Sequence, residues 1–433
     1  MIFKFLNGNQ KNFDNRLRFI LRSRKFNQKD VSNSVKKIIN NVKKSGDKSL
    51  IKYEKKFSNI KIKNNRLKFT NEEVKLISKK IDQRLKKSID TAYSRIKRFH
   101  LKQKPNSYIL KDKYKNELVY KYSSISSVGV YVPGGTASYP STVLMNCIPA
   151  IVAGVRNIFL TTPALGKNVN PAIIYAAKKC GVKQIYKVGG AHSIAALAYG
   201  TKSIAKVDKI VGPGNAYVAA AKKEVFGEVG IDMIAGPSEV SIVADKNANP
   251  RWIASDMIAQ AEHDIFAQSI LICNDLKFIK KVNNCVIKQL KEIPRSKIAS
   301  KSLKNFGLAI YAKKIRTILK IVNEIAPEHL EINFKNYKPI LRGVENAGSI
   351  FLGKYSPEAM GDYLAGPNHV LPTSGTAKFS SGLSVNDFLK RHSVIKITKT
   401  GIERLGPSVI NLAKHENLDG HANSVKLRLK KEN

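Results

Sequence analysis

From about residue 120 the chain settles into one repeating texture, and that texture restricts the fold more than any other feature. Short β-branched runs alternate with Gly- or Pro-marked turns and Ala-rich stretches of helical length. Residues 127–132 lead to 141–153, 157–161 to 171–179, 184–188 to 193–199, and 209–211 to 216–225. This pitch predicts βαβ units, because two parallel strands can be joined only by a crossover long enough to hold a helix. A second α/β stretch runs over residues 241–370. The expectation is an α/β protein built on parallel sheets with helices on both faces.

The flanks read differently. Residues 31–105 carry the periodicity of amphipathic helices, with a capping box expected at Thr70 and Glu73. Residues 1–30 mix apolar and basic positions without clear turns and read as an arm that packs elsewhere. After residue 381 come a strand-like stretch at 390–397, a helix expected to open at Pro407, and a polar loop leading to His421.

A chain of 433 residues, 43% hydrophobic, buries more than one core. No window approaches 18 apolar residues, and Lys4, Lys11, Asp14, Arg16 and Arg18 interrupt the first twenty-five, so neither a membrane span nor a signal peptide is expected. Cys147, Cys180, Cys273 and Cys285 are dispersed without a Cys-x-x-Cys pair, which argues for core thiols in a reducing cytoplasm. The net charge of +44 raises nucleic acid as a partner. The excess is densest over residues 1–120, with 34 Lys and Arg against 10 Asp and Glu. Yet these lysines stand singly or in pairs at helical spacing, without Arg-Gly-aromatic interleaving, and so read as a solvated surface.

Three Gly-rich turns, at 132–136, 188–192 and 211–215, stand at strand-to-helix junctions, where backbone N–H groups and a helix N-terminus can face a pyrophosphate. None is a Gly-x-Gly-x-x-Gly fingerprint, and each alone is equally a tight connection. Six of the eight histidines lie after residue 260. Gln260 and His263, three apart on one helix face, can share a ligand. With Asp362 and His421 they would give zinc a mixed O/N shell and leave room for substrate; the competing reading is a polar helix face. Glu328 and His329 put an acid beside a base after Pro327, where His329 would take a proton and Glu328 activate water, unless the pair is simply exposed. Ser238 either binds substrate or caps a turn.

Together these blocks resemble histidinol dehydrogenases. The resemblance is carried by Gly-Val-Tyr-Val-Pro-Gly-Gly at 129–135, Gly-Pro-Gly-Asn-Ala at 212–216 and Ala-Gly-Pro-Ser-Glu-Val at 235–240. Gln-Ala-Glu-His at 260–263, Pro-Glu-His-Leu-Glu at 327–331 and Gly-Asp-Tyr at 361–363 continue it. Gly-Pro-Asn-His-Val-Leu-Pro-Thr at 366–373 and Gly-His at 420–421 complete it. The resemblance implies an intertwined homodimer with two incomplete Rossmann-like domains. Its boundaries would be an arm over 1–25, a metal and catalytic domain over 26–130 plus 240–381, an NAD domain over 131–239, and a C-terminal piece over 382–433 that reaches the partner. It implies one zinc per subunit on Gln260, His263 and Asp362, with His421 from the other chain. The L-histidinol pocket would include Ser238, Gln260, His263, His329, Asp362, Glu416 and His421, joined by His369. Glu328 and His329 would be catalytic, and Tyr131, His192 and Asn215 would meet NAD.

The implied reaction is the four-electron oxidation of L-histidinol to L-histidine through a bound aldehyde, using two NAD, at the last step of histidine biosynthesis. One departure is His192, where the family commonly has Gln. Rival readings are a paralogous zinc and NAD dehydrogenase of another small diol, a basic nucleic-acid-binding protein, and a zinc hydrolase. Glu416 and His421, suited to an amine and an imidazole, speak against the first, and the Gly-rich turns against the last.

Overall fold

Two parallel sheets share one strand order. In the first, five strands lie in the order Gln184–Tyr186, Asn157–Thr161, Ser127–Tyr131, Lys209–Val211, Gly230–Ile231. Counted along the chain this is 3-2-1-4-5, the Rossmann order without its sixth strand. The second sheet has six strands, in the order Lys4–Asn7, Leu308–Tyr311, Gln268–Cys273, Glu239–Ala244, His329–Asn333, Ser349–Leu352, all parallel. Without its first member it repeats 3-2-1-4-5. Strands Glu239–Ala244 and Gln268–Cys273 are buried at every residue, as expected of central parallel strands covered on both faces. This computed structural model describes the chain apart from residues 24–27, 60–61, 63–65, 135–138, 165–168 and 431–433 and the side chains of 28–30. Among the described residues no helix is long and apolar enough to cross a membrane.

The packing divides the chain differently from the boundaries expected of it. The arm is no free extension: Lys4–Asn7 pairs in register with Leu308–Tyr311, and Phe3, Leu6, Phe13 and Leu17 are buried on the six-stranded sheet. The helices of residues 28–101, expected with 240–381, cover the five-stranded sheet instead. Helices Gln28–Ser45 and Asp47–Phe57 bury Val35, Ile39 and Leu50 with Ile194, Leu197 and Val218; helix Gln83–Leu101 buries Ile89 and Ile96 with Val143 and Leu144. The reason is the character of that sheet's own helices. Pro140–Ala153 buries twelve of its fourteen residues and Gly190–Tyr199 everything from Ala191 to Ala198, so each needs an outer layer to shield it from water. The preface helices, apolar on one stripe, supply that layer.

Strand Ser127–Tyr131 is the first strand of the five-stranded sheet, which therefore begins before residue 131. Tyr108–Lys111 and Glu117–Ser124 form an antiparallel sheet with the C-terminal strand Leu389–Lys396. Pro407, expected to open a helix, lies inside Lys399–His415, because Thr398 caps that helix earlier by accepting the Gly401 N–H at 3.0 Å. The capping box holds on both sides: Thr70 Oγ1 accepts from the Glu73 N–H at 3.1 Å, and Glu73 Oε2 from the Thr70 N–H at 2.8 Å.

Candidate active site

The acid, base and ligand candidates gather at the amino ends of two adjacent strands of the six-stranded sheet, Glu239–Ala244 and His329–Asn333. Ser238 and Glu328 immediately precede these strands. Helix Pro250–Ala261 runs back along the sheet and delivers buried Gln260 at its end, with His263 in the turn that follows. Short helix Glu358–Tyr363 carries Asp362.

His329 is the hub. Its Nδ1 lies 3.2 Å from the Glu239 carbonyl oxygen, which can only accept, so Nδ1 carries the proton and Nε2 keeps its lone pair. Nε2 is buried, has no hydrogen-bond partner among the described residues, and lies 3.8 Å from Asp362 Oδ1. Burial holds the imidazole below its usual pKa, against the pull of Asp362, so it is neutral at pH 7 and suited to act as a base. Glu328 Oε2 accepts the Glu239 N–H at 2.9 Å and stands 3.8 Å from His329 Nδ1. His369 has the same tautomer, with Nδ1 2.9 Å from the Asp362 carbonyl, and burial lowers its pKa too. A cleft of about 290 Å³ opens beside these groups, lined by His329, Asp362, His369, Phe351, Tyr355 and Arg95.

Ligand atoms of His263, Asp362 and Glu358 all lie within 4.8 Å of one another. Gln260 is 0% exposed, and neither its amide oxygen nor its nitrogen finds a partner among the described residues; Glu358 Oε2 is likewise buried without one. An amide left in this state costs about 1–3 kcal/mol. An imidazole and two carboxylates gathered in this way suit a divalent cation such as zinc, and the buried, unpartnered amide of Gln260 stands three residues before His263.

Glu358 was missed from the sequence. Burial, then Asp362 and Glu328, push its pKa up, as expected of a carboxylate held among others. Its signal is its place four residues before Asp362, on one helix face, after Pro357. Behind it Glu331 Oε1 accepts the Glu358 N–H at 2.9 Å, and burial raises the facing Asp256 carboxyl to about 6. Two expected site residues do not join. Glu416 and His421 are exposed, at the end of Lys399–His415 and in helix Asp419–Leu429, outside the cluster of ligand atoms.

The second group lies at the carboxyl ends of the other sheet, at the switch point between Ser127–Tyr131 and Lys209–Val211, where open α/β sheets bind their ligands. Tyr131 ends the first of these strands; its hydroxyl accepts the Gly190 N–H at 3.3 Å, and burial lifts its pKa to about 12. Gly212, at φ +114°, brings its backbone so close to Tyr131 that a Cβ would run into the Tyr131 carbonyl. The Gly212 N–H donates to Asp232 at 2.8 Å, its carbonyl accepts from Lys222 at 2.9 Å, and Lys222 also pairs with Asp232. Asn215 is exposed and caps helix Ala216–Val225, accepting from the Tyr217 and Val218 N–H groups at 3.1 and 3.2 Å. His192 is buried, with Nε2 2.8 Å from Glu54. Gly135 and Thr136 of the first Gly-rich turn lie outside the described residues.

The sequence matches the model of the histidinol dehydrogenase family over residues 21–429. It is 56% identical to histidinol dehydrogenase of Pelagibacter ubique over 431 residues, which cover 99% of this chain and all of that one. It is 48% identical to the Listeria monocytogenes enzyme of the same name over 94% of this chain and 95% of the other. Among solved structures, histidinol dehydrogenase from Elizabethkingia anophelis superposes with a TM-score of 0.93 at 37% identity, covering 99% of this chain and 98% of that one.

Proposed function

The chain belongs to the histidinol dehydrogenase family, and from that premise we propose how its own residues carry the oxidation of L-histidinol to L-histidine. It is an NAD-dependent oxidoreductase of histidine biosynthesis. The observation that carries the assignment of roles is the pairing of a neutral, buried His329 with Glu328 beside an incomplete set of metal ligands.

Gln260, His263 and Asp362 would hold one zinc per subunit, with Glu358 beside them. When bound, zinc supplies a template for the imidazole and amine of the substrate more than a strong Lewis acid. NAD, seated at Tyr131, Asn215 and the turn before His192, supplies the hydride acceptor, once for the alcohol and once for the hydrated aldehyde. His329 Nε2 takes the alcohol proton. Glu328, held by the Glu239 N–H, takes a proton from the water that adds to the aldehyde, and a second copy of the chain covering the cleft would keep that aldehyde from escaping. Ser238, His369 and Glu416 line the substrate.

Glu416 and His421 reach the site only from a second copy of the chain. Exposed Leu405, Val409 and Leu412, with exposed Ile109, Leu110 and Ile395 on the antiparallel sheet, give such a homodimer an apolar face. The four free thiols fit a reducing cytoplasm. The test is NADH formation from L-histidinol by the zinc-loaded protein, with and without a chelator. Activity lost to the chelator and restored by zinc supports the assignment; turnover of another small diol but not of histidinol moves it to a paralogous substrate.

A further inference from the structure

Glu54 is fully buried on helix Asp47–Phe57, whose other charges are one Asp and several lysines. A carboxylate so placed must be compensated. Its Oε1 accepts the Gly189 N–H at 2.7 Å and faces His192 Nε2 at 2.8 Å. Burial acts to raise its pKa, but His192 and the Gly189 N–H outweigh that and hold it below the ordinary carboxylate value, so it is ionised. An ionised carboxylate only accepts, and so Nε2 carries a proton. The same helix flanks the ring with Tyr53 and Phe57, at centroid distances of 5.5 and 6.1 Å. His192 is 2% exposed, and its Nδ1 has no partner among the described residues. Gly190, at φ +61°, lies against that side of the ring and donates to Tyr131. A Cβ on Gly189 would stand 2.6 Å from Pro163, so the turn has little freedom of its own.

We propose that Glu54, contributed by the N-terminal helices, is a positioning residue for the dinucleotide: through Gly189 and His192 it fixes the turn opening helix Gly190–Tyr199 at the edge of the crevice. This rests on the reading of that crevice as the NAD site. Glu54 itself touches no cofactor. It acts by clamping one backbone amide and one ring nitrogen, which leaves the amides of the helix's first turn aligned for an anionic group.

The test is NADH binding by fluorescence titration of the zinc-loaded protein, with thermal melting alongside. Glu54→Gln keeps an acceptor for Gly189 and His192 but removes the negative charge that strengthens both bonds. It should weaken NADH binding about tenfold, the scale of one lost charge-assisted hydrogen bond. KM for NAD should rise to match, while kcat at saturating NAD and KM for histidinol stay within about twofold. Adding His192→Gln to Glu54→Gln should cause no further loss, because both act on one contact. Wild type that fails to bind NADH overturns the cofactor reading itself. Wild type that binds, with a folded Glu54→Gln binding equally well, overturns the role of Glu54. If Glu54→Gln does not fold, the ¹⁵N shift of His192 Nδ1 in wild type decides: movement on adding NADH supports the proposal, and none refutes it.

Discussion

His421 and Asp362 lie in different places on one chain, and that separation sets a number. Asp362 stands within the cluster with His263 and Glu358, whereas His421 is exposed on helix Asp419–Leu429. If each site takes His421 from the partner, His421→Ala and Asp362→Ala homodimers are both inactive, since every site lacks a ligand. In a random mixture of the two chains about half the dimers are mixed. In each mixed dimer one site joins an intact Asp362 to an intact His421, and the other lacks both. Mixing should therefore restore about a quarter of wild-type activity, and heterodimers purified through two different tags about half. Co-expression followed by initial-rate measurement reads this directly. Purified heterodimers without activity would refute the shared site, and a fully active His421→Ala homodimer would remove His421 from the metal altogether.

Three further outcomes follow from the geometry. Glu328→Gln should slow aldehyde oxidation by about a hundredfold or more while alcohol oxidation falls by less than about tenfold, measured by supplying each substrate separately; equal losses would exclude its role with water. Lys222→Met leaves Asp232 buried without its cation and should destabilise the chain by about 3 kcal/mol in chemical denaturation, with part of the loss recovered by adding Asp232→Asn, which removes the charge and keeps an acceptor for the Gly212 N–H. The Asp256 carboxyl is raised from 3.8 to about 6, so the neutral acid stabilises the fold below pH 4 and that contribution is lost as pH rises through 6. Asp256→Asn, neutral throughout, should match wild type near pH 4 and exceed it by about 2 kcal/mol at pH 8; a difference that does not change with pH would count against the buried acid pair.

Much of the architecture was legible because its signals are local. Strand Asn157–Thr161 and helices Pro171–Lys179 and Ala216–Val225 follow from apolar runs bounded by Gly, Pro and Asn, and the Thr70 and Glu73 box from four residues. The six-stranded sheet's outer strand was not, because Lys4–Asn7 is four residues long and pairs with a segment some three hundred residues away. The preface helices carry an apolar stripe that any sheet would satisfy; only the almost wholly buried helices Pro140–Ala153 and Gly190–Tyr199 decide which one they cover. In the site, Glu328 and His329 announce themselves by adjacency, and Gln260 with His263 by helical spacing. Glu358 and Glu54 stay hidden, since a lone Glu among lysines reads as surface until the fold shows it buried. The sequence also gives no hint that the metal candidates sit at the amino ends of one sheet while the Gly-rich turns sit at the carboxyl ends of the other.

The most direct test is the stoichiometry of a reaction run to completion, with zinc-loaded protein, excess NAD and limiting L-histidinol. Two NADH and one histidine per histidinol are expected, with no free aldehyde captured by a carbonyl trap. One NADH per histidinol, with aldehyde in the trap, would contradict a single site that carries both oxidations.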